Sequence, residues 1–144
     1  MTSLAHFEKV AGTLVLPGKA VIDGETLAAV SGATFDNVSP RDGRVLNPVA
    51  ACGLADVDIA VASAREAFND GRWRKRSYKD KKRILFKLAD LMERETETLA
   101  VLESLDVGKP IANALEGDIP QAIRTLRYYA EALDKVYGEV GPET

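Results

Sequence analysis

The rhythm of apolar positions changes near residue 52 of this 144-residue chain. Before it, short apolar runs alternate with turn residues. Lys19 to Asp23 reads as a strand, and Asp23-Gly24 is a hairpin turn signal because both residues tolerate positive φ. Glu25 to Val30 returns, and Ser31-Gly32 turns the chain again. Thr34 to Ser39 forms a third strand, Pro40-Arg41-Asp42-Gly43 a further turn, and Arg44 to Ala51 a fourth strand. Residues 19–51 are therefore expected as two consecutive β-hairpins, preceded by an N-terminal arm over residues 1–18.

From residue 52 to 144 the spacing is helical. Val57, Ala60, Val61, Ala64 and Phe68 recur every three or four positions and predict a helix over 55–69, ended by Asn69-Asp70-Gly71. Ala60, Ala62, Ala64 and Ala67 imply close approach to a neighbour. Ser77 and Asp80 have capping-box spacing and open a second helix. Its stripe is Ile84, Leu85, Leu88 and Met92. The stripe resumes at Leu99, Leu102 and Leu105 after a break in the polar run Glu93 to Thr98. Gly108 and Pro110 end the segment in helix-stop order. A last helix over 118–138 is expected, with Asp118 as its cap and Pro120 tolerated in the first turn. Ile119, Ala122, Ile123, Leu126, Ala130, Leu133 and Tyr137 form its stripe. The fold class is an α+β fragment of two β-hairpins and three main helices, near 55–69, 78–105 and 118–138, without a parallel sheet.

Charge narrows the function classes. Nineteen Lys and Arg against 22 Asp and Glu give a net charge of −3, which disfavours a nucleic-acid binder. Residues 71–83 are the exception, with eight cations around Trp73 and Tyr78. Such a run could hold phosphates and stack bases, or it could be a solvated loop anchored to the core by Trp73. A single cysteine, Cys52, excludes an internal disulfide and suits a reducing, cytoplasmic setting. No basic head precedes an apolar stretch at the N-terminus, and nothing approaches the ~20 apolar residues of a membrane span.

Candidate chemistry is sparse. There is no glycine cluster after a strand, no P-loop and no metal-ligand spacing. Cys52 and His6 are the lone thiol and imidazole, and Cys52 reads as a small packed thiol. Leu105-Asp106-Val107-Gly108-Lys109-Pro110 sets an acid, a glycine and a lysine at a helix end. Gly108 in the left-handed conformation with Lys109 facing the helix terminus explains it structurally. If Asp106 is partly buried, it also needs a positive partner. Asp118 and Gln121 share a helix face at i, i+3.

Taken in order, several segments resemble the N-terminal region of the aldehyde dehydrogenase superfamily. They are Phe35-Asp36-Asn37-Val38-Ser39-Pro40-Arg41-Asp42-Gly43, Ala55-Asp56-Val57-Asp58-Ile59-Ala60-Val61, and Phe68 to Trp73. Leu88-Ala89-Asp90-Leu91-Met92-Glu93, Glu103 to Pro110, and Arg127-Tyr128-Tyr129-Ala130 continue the series. Asp118-Ile119-Pro120 and Tyr129 to Val140 look closest to the γ-glutamyl-γ-aminobutyraldehyde dehydrogenases of putrescine breakdown.

The resemblance implies an oxidoreductase using NAD or NADP. In such an enzyme a cysteine thiolate attacks the aldehyde, hydride passes to the nicotinamide, and a glutamate activates water. Those groups and the Rossmann core lie beyond the matching region, so no catalytic or cofactor-binding residue is assigned here, and Cys52 does not match the catalytic cysteine's motif. The chain alone is expected to be inactive, an incomplete part of the cofactor domain whose partner is the rest of the polypeptide, in a homo-oligomer.

By the same resemblance, Asp106 with Asn37 and Val38 matches a site for sodium or potassium. Asp118 and Gln121 match positions at the substrate entrance, where an acid suits amino-aldehydes. Two other classes remain open on the residues alone: a stand-alone helical interaction module, and a nucleic-acid-binding domain using residues 71–83.

Overall fold

The computed structural model describes residues 3–136. Two separate antiparallel ribbons form the β-portion. Strands β1 (Ala20–Ile22) and β2 (Glu25–Leu27) pair with Ile22 opposite Glu25. Their two-residue turn holds Asp23 at φ 53° and Gly24 at φ 80°, matching the right-handed twist of the flanking strands. Strands β3 (Thr34–Val38) and β4 (Val45–Ala50) pair from Thr34–Ala50 to Val38–Val45, with a register shift between Asn37 and Val38. The segment before β1 lies against β4: the Ala50 N–H donates to the Gly18 carbonyl at 2.7 Å, and Asn47 Nδ2 donates to the Pro17 carbonyl at 3.2 Å. No parallel strand pairing occurs among the described residues.

Helix α2 (Leu54–Asp70) follows, then α3 (Tyr78–Arg94) and α4 (Thr96–Val107). The helical segment expected over 78–105, with a break in the run Glu93 to Thr98, is two helices. The break falls at Glu95, where Thr96 Oγ1 bonds back to the Glu93 carbonyl at 2.7 Å and competes with the helical ladder. Ser77 caps α3 as its spacing predicts, accepting from the Asp80 N–H at 3.1 Å. A short turn α5 (Ile111–Asn113), a π-helical turn (Ala114–Asp118) and α6 (Ile119–Ala132) make one helical run. Helix α6 stops at Ala132, short of the expected residue 138, and Tyr137 of its expected stripe lies outside the described residues.

The arm, for which no element is expected above, contains a helix, α1 (Leu4–Thr13). Ser3 Oγ accepts from the His6 N–H at 3.3 Å. Phe7, Val10, Ala11 and Leu14 turn inward at i, i+3, i+4, i+7. Both signals are present in the sequence.

The core is built from small side chains. Ala89 of α3, Ala100 of α4 and Ala114 of the π-turn are fully buried, joined by Ile119 and Ile123 of α6. Met92, Leu99, Ile111, Leu115 and Leu126 close around them. Two sequence expectations fail on orientation. In α2 the inward positions are Asp56, Ala60, Ser63 and Ala67, whereas Val57, Val61 and Phe68 of the expected stripe are 53–59% exposed. In α3, Leu85, Phe86, Ala89 and Met92 turn inward, while Ile84 and Leu88 join Leu91 on an open face. Ala122 is exposed, and Trp73, at 44% exposure, is not a core anchor.

Asp56 is the buried acid of α2, 6% exposed. Its two carboxylate oxygens accept from the Val30 N–H and the Gly53 N–H, each at 2.8 Å. One residue thereby satisfies an orphan donor at the start of α2 and fastens that helix to the segment after β2. These two backbone bonds, Gly53 first, hold the carboxyl below its usual range. A group depressed on folding stabilises above its unfolded value of about 3.9, and that stabilisation is lost as pH falls through the folded value. Asp56→Ala is expected to lower Tm by about 3–6 °C at pH 7. The difference should hold from pH 7 to about pH 5 and narrow below about pH 4. Thermal unfolding by circular dichroism across that range checks both statements, and a gap that widens on acidification contradicts them.

Candidate functional site

The β3–β4 turn packs against the end of α4. Gly108 ends that helix at φ 76°, with its N–H donating to the Ser104 carbonyl at 3.0 Å. A Cβ on Gly108 would stand 2.7 Å from Pro40 Cγ. Ser104 Oγ donates to the Lys109 carbonyl at 2.8 Å and fixes the chain as it leaves the helix. This contact brings together the two segments singled out for a cation. Asn37 and Asp106 line one cavity of about 380 Å³, together with Asn47, Glu103 and apolar residues from α3, α4 and α6. The Asp106 side chain is exposed, so burial does not force a positive partner on it. The register shift of β3 falls between Asn37 and Val38. Such a shift takes backbone groups out of regular strand pairing beside the cavity.

Asp118 differs from its expected place. The sequence predicts it as the cap of the last helix, but the helical run begins before it, and its backbone is right-handed helical with no capping bond. The Ile119 N–H reaches the Ala114 carbonyl, five residues back. The wider turn sits just ahead of Pro120, whose ring would clash with a carbonyl four residues back in a regular helix. The Asp118 carboxylate instead accepts from Lys109 Nζ, which also lies 3.4 Å from Glu103 Oε1. The hydrogen bond to Asp118, reinforced by Glu103, holds the Lys109 ammonium above its ordinary pKa. Gln121 is exposed; its Oε1 accepts from Arg124 at 2.7 Å, and its Nε2 is 3.4 Å from Thr125 Oγ1.

The remaining candidates resolve simply. Cys52 is exposed ahead of α2, whereas His6 faces Glu97 of α4 at 3.0 Å. All the cations of residues 71–83 except Lys79 are tied within the chain. Arg72 binds Asp70 at 2.7 Å and Asp23 at 3.5 Å, Lys82 binds Asp134 at 2.8 Å, and Arg83 binds Asp80 at 3.1 Å. Lys75 and Arg76 donate to backbone carbonyls, and Arg74 lies 5.6 Å from the Phe68 ring centre. A loop knotted this way has no support as a phosphate-binding row. Sequence reasoning missed the Glu103–Lys109–Asp118 cluster, because it assigned Lys109 to the helix terminus and Asp118 to a cap.

Residues 27–144 match the model of the aldehyde dehydrogenase family. The chain belongs to the aldehyde dehydrogenase family. It is 46% identical over 142 residues to the aminoacetaldehyde dehydrogenase of Pseudomonas aeruginosa, covering 99% of this chain and 29% of that protein. The γ-glutamyl-γ-aminobutyraldehyde dehydrogenase of Burkholderia cenocepacia superposes with a TM-score of 0.94 at 45% identity, over 99% of this chain and 29% of the other. An indole-3-acetaldehyde dehydrogenase of P. syringae, solved with NAD+, gives the same TM-score, identity and coverage. The chain therefore spans about three-tenths of the length of these aldehyde dehydrogenases. No helix among its described residues is long and apolar enough to cross a membrane.

Gly108 is where backbone conformation and packing coincide. Alanine there would need the left-handed region and would collide with Pro40, pushing the β3–β4 turn off α4. Gly108→Ala is expected to cost at least about 1–2 kcal/mol from the left-handed conformation alone. Urea unfolding measures it, and a loss within about 0.5 kcal/mol would show that the turn gives way freely.

Proposed function

We propose that this chain is the N-terminal part of an NAD(P)-dependent aldehyde dehydrogenase that oxidises an amino-aldehyde, or a γ-glutamyl-amino aldehyde of putrescine breakdown, to the carboxylic acid. The carrying observation is the 46% identity to aminoacetaldehyde dehydrogenase across 99% of the chain. The nucleophile, the general base and the cofactor-binding glycines belong to the part of the enzyme outside this chain. Bound NAD or NADP would accept the hydride there. The contribution of these residues is to shape a rim and hold charge at it.

The open apolar faces agree with that assignment. Val57, Val61 and Phe68 on α2 are each more than half exposed, as are Tyr128 and Tyr129 on α6. Large apolar side chains grouped and exposed on a helix face ordinarily mark a contact surface. In this reading the rest of the polypeptide covers it, within a cytoplasmic homo-oligomer.

Asp106, with backbone carbonyls near Asn37 and Val38, would hold sodium or potassium. The donor chemistry fits, since carboxylate and amide oxygens suit a hard cation and both Asn37 and Asp106 face the same cavity. Asp118, with Gln121 one turn on, would stand at the substrate entrance and attract the distal ammonium of an amino-aldehyde.

Reduction of NAD by the complete enzyme tests the reading, using a cationic amino-aldehyde and a neutral aldehyde of equal length. The cationic substrate should have the higher kcat/KM, and Asp118→Asn should lower the cationic-to-neutral ratio by roughly two- to fivefold. Equal losses on both substrates would assign Asp118 to structure alone. The 144-residue chain by itself should neither reduce NAD nor bind it tightly by calorimetry.

A further inference from the structure

Lys109 is the cation nearest the proposed entrance acid, and its position is built rather than incidental. Gly108 turns the chain through the left-handed region, and Ser104 Oγ then clamps the Lys109 carbonyl at 2.8 Å. The side chain is only 27% exposed, and Nζ lies between Glu103 Oε1, at 3.4 Å, and the Asp118 carboxylate. The π-turn contributes the other half of the geometry. A turn that bonds five residues back instead of four carries one extra residue, which offsets the side chains on either side of it by about 100° around the axis relative to a regular helix. Asp118 is the last residue of that turn and meets Lys109, nine residues back at the start of the helical run.

We propose that Lys109 is a specificity-determining residue: its ammonium, held between Glu103 and Asp118, neutralises the entrance acid and sets how strongly the site prefers cationic aldehydes. The inference rests on the reading of Asp118 as an entrance residue. An arriving ammonium must share Asp118 with a lysine already bonded to it. Glu103 decides how readily that happens, because it offers Lys109 a second carboxylate when Asp118 turns to the substrate. With one cation between two acids, the cluster carries a net single negative charge. Removing the lysine charge leaves both acids uncompensated, and a cationic substrate gains.

The experiment measures kcat/KM in the complete enzyme for the same cationic and neutral aldehydes. The variants are Lys109→Gln, Lys109→Arg, Asp118→Asn and Asp118→Asn combined with Lys109→Gln, and the thermal midpoint of each is recorded. Lys109→Gln keeps the chain length and most of the packing. It should raise the cationic-to-neutral ratio by roughly two- to fivefold, the scale of an exposed ion pair. The change should appear in KM. Lys109→Arg should restore the original ratio, and Lys109→Gln should have a clearly smaller effect in the Asp118→Asn background. A ratio that is unchanged or lowered in Lys109→Gln, while Asp118→Asn lowers it, overturns the role of Lys109 and leaves the entrance reading intact. If Asp118→Asn does not lower the ratio, the entrance reading fails and this inference fails with it. A fall in thermal midpoint without any change in ratio would make Lys109 structural and also overturns the proposal.

Discussion

Close approach of three helical segments at alanine is the constraint on which the rest depends. Ala89, Ala100 and Ala114 are fully buried where α3, α4 and the π-turn meet. A larger side chain at any of them would force the segments apart, because interiors packed at crystal-like density do not absorb an added methylene freely. Ile119 and Ile123 then fill the space that α6 leaves beside them. The meeting point holds the end of α4, where Gly108 turns under Pro40, beside the helical run that follows Pro110.

From that packing follows the polar geometry at the rim. Lys109 leaves the end of α4, Asp118 leaves the π-turn, and the two meet because both elements are anchored on the same alanines. The ion pairs outside the core add less. Arg127 reaches Asp90 at 2.9 Å and Glu93 at 2.7 Å, linking α6 to α3, but these acids are well exposed, and pairs of that kind contribute little each. Asp56 is different in kind. It is buried, its two bonds go to backbone N–H groups, and it connects the β-portion to α2, which otherwise presents its larger apolar side chains to solvent.

Those open faces explain why the hydrophobic pattern misled as to direction. The stripe Val57, Ala60, Val61, Ala64 and Phe68 is a genuine helical period, so the helix was legible. Periodicity marks which residues seek an apolar partner, and within this chain α2 packs with its small-residue side, Ala60, Ser63 and Ala67. The larger side is left for surface outside the chain in the proposed enzyme. Ile84, Leu88 and Leu91 on α3 repeat the same division. Helix α1 is encoded locally, by Ser3 and by the spacing of Phe7, Val10, Ala11 and Leu14.

Local determinants were readable from the residues themselves: the Asp23-Gly24 turn, the two hairpins, the Ser77 cap and the Gly108 stop. Each depends on the φ preference or hydrogen-bonding reach of residues a few positions apart, and such interactions are encoded by neighbours in the chain. The pairing of Lys109 with Asp118 and Glu103, and the shared cavity of Asn37 and Asp106, were decided by tertiary structure. They depend on which helix faces close on one another, and on where side chains distant in sequence end up. Asp118 shows the division most clearly: its spacing to Gln121 is that of a cap, and only the approach of Lys109 from the end of α4 makes it one member of a charged cluster.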